Sequence, residues 1–187
     1  MRNGAELDKI DMRILVELSH NPRITLTELS ENTKISRPTI STHLKNLTDS
    51  GLIMNETGLS LRNLNFVTAL VSIEAKQENE STTAEKFLRS CPRVKCLFRT
   101  PGKANLTVLV WGENTNTLNS TIESFRDLSN VEIVDIDYLG TPIHGDLGVG
   151  VFDKRDTAPC KEDCSRCPNY KNKLCVGCPA TIYYKGP

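Results

Sequence analysis

At 187 residues the chain is long enough for one large domain or two small ones, and 23 basic against 23 acidic side chains give an ordinary globular profile that excludes long-range disorder. The zero net charge also removes the bulk basic excess usual in nucleic-acid-binding domains, so any such function has to rest on local charge placement. The longest apolar-rich stretch, Phe66 to Ala75, contains Ser72 and Glu74 and falls well short of the ~20 apolar residues a membrane helix needs.

In chain order, Ile10, Ile14, Leu15 and Leu18 recur at helical spacing, and Asn21-Pro22 stops that helix. Thr25 with Glu28 forms a capping box for a second helix ending near Asn32. Ser36 starts a third, with Pro38 in its first turn and Ile40, Leu44 and Leu47 as its apolar stripe, ended by Asp49-Ser50-Gly51. Leu52-Ile53-Met54 and Leu59-Ser60-Leu61 read as a small hairpin around Glu56-Thr57-Gly58. Beyond residue 62 the period changes. A strand is expected over Phe66 to Ala75, a helix over Thr82 to Ser90, and strands over Val94 to Arg99 and Leu106 to Trp111. A second helix follows over Asn116 to Leu128, then a strand over Val131 to Leu139 whose alternation breaks at Val134, as a bulge would make it. The order β-α-β-β-α-β is ferredoxin-like; with both helices on one face, the other face needs cover, which a second copy of the chain would supply.

The fold class is therefore α+β: a winged helix-turn-helix over 1–62, a ferredoxin-like dimerisation and ligand domain over 63–145, and a cysteine-rich tail over 146–187. The tight Thr33-Lys34-Ile35 connection sets the second and third helices at a large angle, the geometry that lets the latter enter a major groove of double-stranded DNA. Its outer side carries Arg37, Thr39, Ser41, Thr42, His43, Lys45 and Asn46, with no acid before Asp49. These residue types hold phosphates and read base edges, so Arg37, Thr39, Ser41, Thr42, His43 and Lys45 are the candidate DNA contacts.

These residues resemble the N-terminal domain of the leucine-responsive, or feast/famine, regulators (Lrp/AsnC). The resemblance rests on Leu7, Asp8, Asp11, Ile14 and Leu15 in the first helix, on Arg23, Glu28 and Leu29, on the Ser-led helix from Ser36 to Leu47, and on Gly51 with Ile53. It covers roughly residues 5 to 145, because the β-α-β-β-α-β order matches that family's second domain. It implies a homodimer or higher homo-oligomer that regulates transcription at a pseudo-palindromic site, with a small-molecule effector at the loop Gly102-Lys103-Ala104-Asn105. Two positions depart from the family pattern. His43 stands where an arginine is frequent, and Asn105 stands where an aspartate would hold an effector's amino group. Gly102 and Asn105 are thus candidate ligand residues, with a plain hairpin turn as the other reading.

Seven cysteines are present, five of them clustered as Cys160-x3-Cys164-x2-Cys167-x7-Cys175-x2-Cys178. The N-terminal MRNGAELDKIDMR has no apolar core of a secretory signal, so a cytoplasmic setting is expected, in which clustered thiols read as metal ligands before disulfides. Two Cys-x2-Cys pairs suit a four-thiolate Zn2+ site. The short intervening loop, the fifth cysteine and the pairs Cys167-Pro168 and Cys178-Pro179 lean instead to a [4Fe-4S] cluster. Four of the five would ligate, with Cys164, Cys167, Cys175 and Cys178 the core set. A redox-active centre would couple redox state or iron supply to DNA binding. Cys91 and Cys96 read as small, partly buried residues, with a redox pair as the alternative.

The chain is not expected to be an enzyme. His20, His43 and His144 lack a nucleophile partner, and no P-loop, dinucleotide fingerprint or nucleophile elbow occurs. The Cys160-x3-Cys164-x2-Cys167 triplet resembles the cluster motif of radical-SAM enzymes, but those carry it near the start of a large barrel and here it lies almost at the chain's end. The rival reading is an electron-transfer or storage protein whose helix-turn-helix serves only assembly.

Overall fold

The computed structural model describes residues 7–53, 58–76, 78–129, 131–145 and 147–187. The chain forms two compact units, 1–56 and 57–187. The cysteine-rich tail lies within the second of these units. Among the described residues no helix is long and apolar enough to cross a membrane.

The first unit contains α1 (Lys9–His20), α2 (Leu26–Thr33) and α3 (Arg37–Asp49). Each begins with a side chain that accepts an otherwise unpaired backbone N–H. Asp8 caps α1 reciprocally with Asp11, Thr25 caps α2 reciprocally with Glu28, and Ser36 caps α3. Lys34 turns the chain in the left-handed region at φ 55°, and the Ser30 hydroxyl donates to the Ile35 carbonyl at 2.6 Å, which fixes the α2–α3 corner. Ile14, Leu29 and Ile40 form the core, each contributed by a different helix.

The expected wing is corrected. Leu52 and Ile53 are not strand, and Met54 to Thr57 lie outside the described residues. The strand β1 (Gly58–Ser60) pairs antiparallel with β6 (Gly148–Gly150), a segment that composition alone reads as a glycine-rich loop. A Cβ on Gly58 would lie 2.7 Å from the Val149 carbonyl oxygen, so this pairing needs glycine.

The second unit is built on β2 (Val67–Ala75), α4 (Glu78–Ser90), β3 (Val94–Arg99), β4 (Leu106–Gly112), α5 (Thr115–Arg126) and β5 (Val131–Leu139), the expected order. Its sheet runs β3-β4-β2-β5, all antiparallel. The β2–β5 register slips between Ser72 and Ile73, which leaves Val134 as the extra residue where the alternation breaks. α4 starts four residues earlier than expected, at Glu78. Ala69, Val71, Ile73, Val108 and Val110 from the sheet bury against Ala84 and Leu88 of α4 and Leu118, Ile122 and Phe125 of α5. Residues that alternate with them, Leu70, Leu109 and the exposed Phe98, lie on the face without helices. A smaller core of Leu61, Phe66, Trp111 and Val149 joins the β1–β6 ribbon to the end of β4, where Phe66 and Trp111 stack with centroids 5.2 Å apart.

Candidate functional sites: the α3 face and the cysteine cavity

On α3, Arg37, Ser41, Thr42, Lys45 and Asn46 are exposed, and no acid occupies the first turn. Thr39 is half-buried, its hydroxyl 2.7 Å from that of Ser36, and Thr42 donates to the Pro38 carbonyl at 3.0 Å. His43 is a correction. Its Nδ1 lies 2.8 Å from an Asp11 carboxylate oxygen, with only a fifth of the side chain exposed, so the ring faces α1 and not the outer side of α3. The helical angle explains this, because His43 sits between the buried stripe positions Ile40 and Leu47. Asp11 is held below the usual carboxylate range by the Asp8 backbone N–H and then by His43. Asp8, Asp11 and His43 bring three donor atoms within 4.8 Å, but the capping bonds and the His43 contact account for that closeness.

The candidate effector loop is also altered by its bonds. The Asn105 side chain accepts from the Ala75 N–H at 2.9 Å and donates to the Ala75 carbonyl at 2.8 Å. It thereby copies a backbone ladder pair at the end of β2, and both ends of its amide are occupied. Gly102 adopts φ +120°, as a hairpin turn requires.

The tail packs on the helical side of the second unit. Arg155 bridges to Thr181, and the Val176 N–H donates to the Thr117 hydroxyl on α5 at 3.3 Å. A short helix α6 (Pro168–Lys171) follows Cys167, with the proline in its first turn. Gly177, at φ +88°, turns the chain between Cys175 and Cys178. Its carbonyl accepts from Arg93, which also pairs with Glu113 at 2.6 Å and lies 5.0 Å over the Trp111 ring. The Tyr184 hydroxyl donates to the other Glu113 oxygen at 2.6 Å. Burial and the Glu113 carboxylate push that phenol up.

These contacts enclose a cavity of about 90 Å³. All five tail cysteines line it, and so does Cys91, beside Ser120, Thr121 and Ser124 of α5. Cys96 does not; it pairs with Leu109 on the sheet. Cys91 is the residue sequence reasoning missed. Its signal was the Cys91-Pro92 dipeptide, a third copy of the Cys-Pro pairs in the tail.

The Gly177 N–H, two residues on, donates to the Cys175 sulfur at 3.4 Å. Such N–H···S bonds stabilise thiolate charge, which is what a metal ligand carries. Cys164 is buried and receives the Thr181 hydroxyl at 3.9 Å. Cys91 and Cys160 both line the cavity. The nearby Cys91 thiol holds Cys160 down to about 7 and is itself raised, while burial pushes Cys178 up to about 11. Among the described residues no three cysteine sulfurs lie within 4.8 Å of one another.

Comparison with known proteins agrees with this architecture. Residues 7–54 match the family of winged helix-turn-helix DNA-binding domains. The HTH-type transcriptional regulator LysM of Saccharolobus solfataricus is 26% identical over 128 residues, 68% of this chain and 89% of that protein. The HTH-type transcriptional regulator FL11 of Pyrococcus furiosus is 27% identical over 128 residues, 67% and 84% of the two chains. The Escherichia coli AsnC structure superposes with TM-score 0.63 at 21% identity, covering 76% of this chain and 99% of that one. The transcriptional regulator NMB0573 from Neisseria meningitidis, solved as an L-Met complex, gives TM-score 0.65 at 22% identity, covering 78% and 97%. The domain match, the regulator relatives and the shared fold define a winged-helix regulator class. Within that class the chain is similar to LysM and FL11 in sequence and shares the fold of AsnC.

Proposed function

We propose that this protein is a cytoplasmic, homo-oligomeric, sequence-specific transcription regulator whose α3 enters the DNA major groove, and that Cys164, Cys167, Cys175 and Cys178 hold a metal centre that reports redox state or iron supply. The observation that carries the second half is the convergence of six cysteines on one cavity against α5. Tetrahedral zinc with bonds of ~2.3 Å draws its sulfurs to about 3.8 Å from one another. The short loop between the Cys-x2-Cys pairs, the fifth tail cysteine and the Cys-Pro pairs support [4Fe-4S] over Zn2+. When bound, such a cluster supplies one-electron redox chemistry. The chain's part is to offer four thiolates, to stabilise them with the Gly177 N–H and the Thr181 hydroxyl, and to anchor the loop between Cys175 and Cys178 through Arg93.

The Neisseria relative was solved with L-methionine. In this chain the Asn105 amide is already committed to Ala75, so the reading assigns the response to the cysteine centre and takes Gly102 to Asn105 as a turn. The face carrying Leu70, Leu109 and Phe98 suits a second copy of the chain.

The test begins with anaerobic purification. Broad visible absorbance identifies iron–sulfur, and a colourless protein with stoichiometric zinc identifies the alternative metal. Gel-shift titration of loaded and metal-free protein on one duplex then tests coupling; equal affinity sinks the sensor reading. Absence of any steep negative dependence on salt sinks DNA binding itself and leaves the electron-transfer or storage alternative.

A further inference from the structure

The outermost row of α3 is set by the helical angle. Ile40 and Leu47 are buried and His43 and Leu44 partly so, which fixes the inner side of the helix. At about 3.6 residues per turn, Pro38, Thr42 and Lys45 lie opposite, and all three are exposed. Pro38 and Thr42 are four positions apart, so they stand one above the other on the same face near the start of the helix. In a helix-turn-helix this is the end of the second helix that meets base edges. Thr42 is not the freely turning polar group its residue type suggests. Its hydroxyl donates its one proton back to the Pro38 carbonyl at 3.0 Å. With Oγ1 held against the helix, the Cγ2 methyl is the other group on Cβ. The Ser36 and Thr39 hydroxyls are likewise turned on each other, 2.7 Å apart. The outer row of α3 thus presents a pyrrolidine ring and a methyl group between the exposed cations of Arg37 and Lys45.

We propose that Thr42, with the Pro38 ring beside it, reads thymine by apolar contact with the C5-methyl group, and so is a specificity-determining residue of the DNA-binding face. In the major groove thymine presents an O4 acceptor and that methyl, whereas cytosine presents an amino group and no methyl. A threonine hydroxyl free to rotate can donate or accept, and so accommodates several bases. The Thr42 hydroxyl has its proton committed to Pro38 and can only accept. Contact of its methyl with a thymine methyl removes apolar surface of both partners from water, and no other base offers that surface. The cations of Arg37 and Lys45 can serve phosphates at any sequence, so the discrimination falls to the apolar row between them. The inference rests on the reading of α3 as the helix in the groove and on nothing in the cysteine cavity.

The experiment uses the full chain as purified. A duplex pool with a randomised centre is taken through rounds of gel-shift selection, and the preferred duplex is remade with deoxyuridine in place of each thymine in turn, which removes only the methyl group. Expected is at least one thymine whose replacement weakens wild-type binding by about fourfold, the loss of one buried methyl-sized group. Thr42→Val keeps the methyl without the hydroxyl and should show the same loss at the same thymine. Thr42→Ser keeps the hydroxyl without the methyl and should bind the thymine and deoxyuridine duplexes equally, with an unchanged dependence on salt. The proposal is overturned if a preferred duplex is recovered and no deoxyuridine position weakens the wild type, or if the loss persists in Thr42→Ser. It is also overturned if Thr42→Val loses the effect, because the hydroxyl then does the reading. In each of these cases the groove reading stands. A chain that binds no duplex with a steep negative salt dependence removes the groove reading and this inference together.

Discussion

The Arg93 guanidinium and the Glu113 carboxylate form a buried pair 2.6 Å apart, and the same guanidinium donates to the carbonyl of Gly177 in the cysteine-bearing tail. Only 4% and 6% of the two side chains are exposed. One ion pair thus ties the turn after α4 and the end of β4 to the loop between two cysteines. Truncating one partner leaves the other charge buried and uncompensated, at a cost of about 3–5 kcal/mol. Arg93→Ala should lower stability by that order in urea titration and reduce metal content. Arg93→Met combined with Glu113→Leu should recover much of the stability but not the grip on Gly177. A loss below ~1 kcal/mol for the single variant would show that the pair is dispensable.

The α3 face predicts a division between variants. Lys45→Ala and Arg37→Ala remove exposed cations, so each should weaken binding to all duplexes and make the slope of log affinity against log salt shallower, by about one unit for a phosphate contact. His43→Ala should leave that slope unchanged, because the ring bonds Asp11, and should instead lower the melting temperature of the chain. A shallower slope for His43→Ala would return the residue to the groove.

Glu85 makes two hydrogen bonds to Arg99, at 2.7 and 3.0 Å, and that contact holds its carboxyl below the ordinary value of 4.5. A depressed carboxylate contributes stability that is fully present above about pH 4.5 and is lost as pH falls through the folded-state value. Glu85→Gln should therefore destabilise at pH 7, converge with the wild type in acid, and flatten the acid limb of the stability curve. Parallel acid limbs in the two proteins would contradict this.

Gly177 sits at φ +88°, and a Cβ there would lie 2.7 Å from the Tyr183 carbonyl oxygen. Gly177→Ala combines left-handed strain with a clash against backbone, so its cost should exceed the ~1 kcal/mol typical of the conformation alone. Metal per chain should fall with it, since Cys175 and Cys178 flank the turn. Gly51→Ala, at φ +71° with open space around it, is the control that isolates strain.

The parts legible in the sequence were those fixed by near neighbours. Thr25, Glu28 and Ser36 announce the starts of α2 and α3 because a cap acts within three residues. The βαββαβ order follows from local period, and the bulge at Val134 showed as a break in alternation. Long-range pairings were not legible. The β1–β6 ribbon joins residues 90 apart, and no hydrophobic pattern marks Gly148 to Gly150 as a strand. Five sulfurs of the cavity were read from spacing, but Cys91 enters it only through tertiary packing. His43 and Asn105 were placed by residue type. Each had a polar neighbour, Asp11 in one case and the Ala75 backbone in the other, that only the folded chain supplies.

The β1–β6 ribbon sets how this molecule can be cut. Strand β1 opens the second unit and its partner lies just ahead of the cysteines, so deleting everything after residue 140 would strip an edge of its hydrogen bonds and bare the Leu61, Phe66 and Trp111 cluster. A chimera that grafts this tail onto another regulator must carry residues 57 onward as a block, and the severable joint is at 56/57, ahead of the ribbon.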